Sequence, residues 1–63
     1  MNKLQLIASF DEYVTAMNES LGIVRELLDA EDYEGACQAM TSISMNQARV
    51  SVQMQANITR MKQ

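Results

Sequence analysis

IASFDEYVTAMNESLGIVRELL, residues 7–28, places apolar side chains at Ile7, Phe10, Val14, Met17, Leu21, Val24 and Leu28, a 3-4-3-4 spacing unbroken over three heptads. A stripe of that period runs along one side of a helix and seats against a partner helix by knobs-into-holes packing, as in a coiled coil. Leu6, Tyr13 and Leu27 flank the stripe and widen it, which suits a bundle better than a bare two-stranded coil. Two helix starts are available. Ser9-Phe10-Asp11-Glu12 has the form of a capping box, and Asn2 is also a capping residue. Because Ile7 keeps phase with Phe10 and Val14, the helix is expected to begin near residue 3. Gly22 costs on the order of 1 kcal/mol against Ala in a helix interior. The stripe passes through it in phase, so its expected role is close packing rather than termination.

Downstream, Asp29-Ala30-Glu31-Asp32 ends the stripe and gathers acids where the dipole of a following helix favours them, which predicts a tight turn. From Tyr33 onward there is no Pro, and the one Gly, Gly35, falls in the first turn of a second helix. The apolar face of that helix is ambiguous. One register runs through Ala36, Met40, Ile43, Gln47, Val50, Met54, Asn57 and Met61, with two amides on it. Another runs through Tyr33, Cys37, Met40, Ser44, Gln47, Ser51, Met54, Ile58 and Met61 and matches almost as well.

The expected fold is therefore all-α: an antiparallel two-helix hairpin, helices about 3–29 and 32–61, forming a single unit over residues 1–63 and about 40 Å long at 1.5 Å per residue. Such a hairpin has little interior, so it is expected to be completed as a four-helix bundle, by dimerisation or by docking on a helical partner. The expected helix–helix interface is Ile7, Phe10, Val14, Met17, Leu21, Val24 and Leu28 with Met40, Ile43, Val50 and Met54. Met45, Ala48 and Val52 make a second apolar stripe facing away from the first, and with Arg49 they form the expected partner surface, because a helix apolar on two sides must be covered on two sides. Met suits such a surface, being unbranched and adaptable.

Composition narrows the function. In 63 residues there is one Cys and no Trp, one Phe, two Tyr and six Met, so no intramolecular disulfide supplements a thin core. Cys37 is expected to be a small buried hydrophobe. With no His, neither a Ser-His-Asp nor a Cys-His arrangement is possible, and a lone Cys cannot build a zinc site. The acids around the turn lack the spacing and central Gly of an EF-hand loop. An enzyme, a metal and a cofactor are accordingly not expected. There is no run of about 18 apolar residues for a membrane span, and residues 1–8 are too short and polar for a signal peptide, so a cytoplasmic protein with no membrane partner is expected. The sequon Asn57-Ile58-Thr59 then carries no meaning.

Charge is split along the chain. All eight carboxylates stand before Gly35, opposed only by Lys3 and Arg25, whereas Arg49, Arg60 and Lys62 stand alone after it, so the two parts carry −6 and +3 within a net −3. A hairpin folds the second part back along the first, and Arg49 is expected beside Asp11 and Glu12. What remains is a rod with an acidic turn end and a mildly basic end at Lys3, Arg60 and Lys62. This acidic balance does not favour nucleic acid as a partner.

Leu28-Asp29-Ala30-Glu31 followed by Cys37 resembles the turn region of the Rop family of plasmid RNA-binding regulators, and Ile7, Val14, Leu21 and Leu28 sit where that family's first-helix seam would be. The resemblance implies a homodimeric four-helix bundle and, as an alternative function, a nucleic-acid-binding regulator. That family reads RNA with basic and amide groups around an aromatic on helix one; here only Tyr13 falls into place, with Met17 and Val24 where polar groups are expected. The first expectation is thus a non-enzymatic protein–protein interaction module, an adaptor, chaperone-like partner or inhibitor, binding itself or a larger helical protein and no small-molecule substrate. A structural subunit of a larger helical assembly is a further alternative.

Overall fold

The structure, a computed structural model, describes residues 2–62. Two helices, α1 (Lys3–Asp29) and α2 (Tyr33–Met61), make up a hairpin measuring 49 × 17 × 8 Å, a plate one helix thick. Asn2 caps α1 reciprocally with Gln5: Gln5 N–H donates to Asn2 Oδ1 at 2.9 Å and Asn2 N–H to Gln5 Oε1 at 3.0 Å. Ser9 does not cap; it lies half-buried inside the helix.

The turn is a Schellman motif. Asp32 N–H donates to Leu27 O at 2.9 Å and Glu31 N–H to Leu28 O at 3.0 Å, which satisfies carbonyls that the end of α1 leaves open. Glu31 takes the left-handed conformation this requires, with φ of 60°. Asp32 then caps α2 by accepting from Gly35 N–H at 3.0 Å, so α2 begins at Tyr33, one residue later than expected. Gly35 has a specific reason to be Gly, since a Cβ there would collide with the Asp32 carboxylate.

Between the helices, α1 contributes Leu6, Ser9, Tyr13, Met17, Ser20, Val24 and Leu27, and α2 contributes Ala36, Ala39, Ile43, Val50, Met54 and Asn57. Small residues recur on both sides of this seam, which lets the backbones approach. Gly22 is not among them: it is exposed, with nothing within 4 Å of an added Cβ, so close packing is not its role. Among the described residues only Val24, Ala36 and Asn57 are buried, and no side chain is fully so. Every side-chain hydrogen bond among the described residues joins positions three or four apart, and none crosses the hairpin. The helices are held by packing alone, and that packing is thin.

Candidate functional site

The heptad stripe of α1 is divided by the fold. Met17 and Val24 turn into the hairpin, while Ile7, Phe10, Val14, Leu21 and Leu28 remain 38–51% exposed along one side of it. Leu6, Tyr13 and Leu27, which widen the stripe, are half-buried with Met17, so α2 covers one edge of the widened face and leaves the other open. On α2 the two competing registers prove to be two faces. Ala36, Ile43, Val50 and Asn57 of the first meet α1; Tyr33, Cys37, Met40 and Ile58 of the second are exposed. Met40, expected at the interface, is on this open side, and Cys37 is exposed rather than buried. Met54 is half-buried on the boundary between the two faces.

These open residues lie on the same side of the plate. At the free end Leu6, Ile7, Phe10, Met54 and Ile58 line one shallow groove, which continues through Tyr13, Gln47, Val50 and Ser51. At the turn end Val24, Leu28, Tyr33, Ala36, Cys37 and Met40 line another. Phe10 and Tyr13, with ring centroids 6.5 Å apart, carry the apolar surface from the open face into the seam. The opposite side of the plate is mixed: its grooves are lined by Ser9, Glu12, Ser20, Ser42, Asn46 and Gln53 together with Tyr13, Met17, Ile43 and Met54, which the seam half-buries. Within that side Asn57 is 9% exposed, and its Oδ1 accepts from Gln53 Nε2 at 3.3 Å, so the buried amide is satisfied.

Met45, Ala48 and Val52 are exposed and line none of these grooves, and Val52 at 70% is among the most exposed apolar residues. This is where the second stripe was expected, on the outer surface of α2. Arg49 lies beside it, one turn from Met45 and Gln53, and makes no ion pair. Arg49 forms no ion pair with Asp11 or Glu12, the residues beside which it is expected. Among the described residues the one ion pair is Arg25 Nε to Asp29 Oδ1 at 3.5 Å, within α1 and exposed at both ends. An exposed pair contributes about 0–1 kcal/mol, so charge does not hold the hairpin together. It does polarise it, with Glu26, Asp29, Glu31, Asp32 and Glu34 at the turn end and Lys3, Arg60 and Lys62 at the other.

Tyr13, the one side chain matching the aromatic position of the Rop resemblance, is half-buried between the helices, with Met17 half-buried and Val24 buried in the same seam. No helix among the described residues is long and apolar enough to cross a membrane. No family model matches the chain, and no curated protein and no solved structure matches it.

Proposed function

We propose that this chain is a non-enzymatic protein–protein interaction module that works by helix–helix packing through the open face, as an adaptor, a chaperone-like partner or an inhibitor. One observation carries the reading. The chain exposes 5071 Å², whereas a compact monomer of its mass exposes ~4,100 Å². Among the side chains left exposed, Ile7, Phe10, Val14, Leu21, Leu28, Tyr33, Met40 and Ile58 lie together on one side of the plate. Apolar side chains exposed together at both ends of one side mark a surface that another molecule covers. The outer stripe of Met45, Ala48 and Val52 stays available once the open face is covered, and suits a second, adaptable contact.

A Rop-like regulator of nucleic acid and a structural subunit of a larger helical assembly would use the same face. The nucleic-acid reading is placed behind the first because the three cations of the basic end offer few phosphate contacts in a chain of net −3.

The test is thermal unfolding followed by circular dichroism, alongside light scattering. The chain should associate or, where it runs at single-chain mass, melt gradually, because two helices without a fully buried side chain lack a cooperative core. A sharp melt at single-chain mass would show that the open face needs no cover, and the reading fails.

A further inference from the structure

Resting on that reading of the open face, we infer that its occupant is a second copy of this chain, packed head to tail so that each turn end lies against the other copy's free helix ends. The side chains along α2 carry the argument. From the turn outward, the open face of α2 presents Tyr33, Cys37, Met40, Ser44, Gln47, Ser51, Met54, Ile58 and Met61. The order is three apolar positions, a hydroxyl, an amide, a hydroxyl and three apolar positions, and it reads the same in both directions. Two copies of α2 crossing antiparallel at Gln47 therefore pair Met40 with Met54, Cys37 with Ile58 and Tyr33 with Met61, and set Ser44 against Ser51. Like meets like at every step, and the amides meet each other on the two-fold axis.

The same axis suits α1. Phe10 shares a groove with Gln47 and Ser51, which places Val14 at about the height of Gln47 in the hairpin. A two-fold there sets Val14 on its own copy and Ile7 on Leu21, exposed members of one stripe. The other two-fold, with both turns at one end, places α2 of each copy over α1 of the other. Ser44, Gln47 and Ser51 would then be buried against the apolar side chains of α1, Val14 and Phe10 among them, with their polar atoms unpartnered.

Charge selects the same arrangement. With both turns together, two clusters of Glu26, Asp29, Glu31, Asp32 and Glu34 would adjoin, each offset only by Arg25. Head to tail, each cluster adjoins Lys3, Arg60 and Lys62 of the second copy. The size also fits. The plate's 49 × 17 Å outline is on the order of 800 Å², close to the ~800 Å² that each partner contributes to a standard specific interface.

The native thiol makes the register testable through Ile58→Cys. Positions 37 and 58 of one chain are about 31 Å apart along α2, so they cannot be bridged within it. Oxidised glutathione, which accepts the two electrons of each bond formed, should convert this variant to a species of twice the chain mass that dithiothreitol reverses. Peptide mapping should find position 37 joined to position 58, and the wild-type chain should give no such species. Gln47→Cys in a Cys37→Ser background should likewise bridge its own copy across the axis. Absence of both crosslinks, or dimers joined through Cys37 alone, would overturn the head-to-tail register. A wild-type chain at single-chain mass that melts gradually would overturn the second copy as occupant and leave the interaction reading standing. A sharp melt at that mass would overturn both.

Discussion

Glu31 carries a conformational cost that the turn does not need. It sits in the left-handed region at φ 60° because the Schellman motif demands it, and a residue with a Cβ spends about 1–2 kcal/mol there. Gly adopts the same conformation freely but loses more freedom on folding, about 0.5–1 kcal/mol. Glu31→Gly should therefore stabilise the hairpin by about 0.5–1 kcal/mol, read as a higher midpoint in urea at unchanged slope. The turn also loses a negative charge, which favours the same direction among Asp29, Asp32 and Glu34. An unchanged or lower midpoint would show that the Glu31 side chain makes a contribution of its own. At Asp32 the residue is already well chosen, because its carboxylate reaches Gly35 N–H and its carbonyl accepts the first helical bond, from Ala36 N–H at 3.0 Å.

At the scale of the helix, the two glycines make a paired experiment, since one substitution has different consequences at two sites. Gly22 lies mid-helix with open space around its missing Cβ, so Gly22→Ala should gain up to about 1 kcal/mol. Gly35→Ala forfeits that gain, because the added Cβ displaces a capping carboxylate worth about 1 kcal/mol. The two variants should differ by about 1 kcal/mol or more in thermal or urea unfolding; equal effects would show that the Asp32 cap shifts aside without loss. Both helices and the turn could be read from sequence to within a residue, because 3-4 spacing, the acids of the turn and the absence of Pro all report local structure. Which face packs on which could not. Periodicity reveals that Ile7, Phe10 and Val14 share a side, but it does not tell a side that meets α2 from one that awaits another chain. The tie between the two registers of α2 was not noise, since the helix has two half-apolar faces a quarter-turn apart. Ser9, Ser20 and Ala39 escape a hydrophobic scan altogether, because their contribution to the seam is smallness. For Arg49, register fixes height along the hairpin without fixing the side on which a long cation lies.

For the whole molecule, secondary structure and stability separate. Isolated helices of this kind are marginal in water, and the hairpin adds one seam with three buried residues, so most of the available apolar stabilisation lies in the face still open. Leu21 is the sharpest probe of it, being 45% exposed in the hairpin and central on α1's share of that face. If the hairpin were complete by itself, Leu21→Asp would be a surface substitution worth within about 0.5 kcal/mol. If the face is covered by packed helices, the substitution removes about 1.5–3 kcal/mol of side-chain burial and adds an unpaired carboxylate to a dry interface. The expected outcome is dissociation or loss of helicity, seen together by light scattering and circular dichroism at concentrations where the parent chain is associated. Leu21→Ala should fall between the two, because it shortens the side chain without introducing charge. Retention of both helicity and mass in Leu21→Asp would mean that this stripe, regular as it is, faces water in the working molecule.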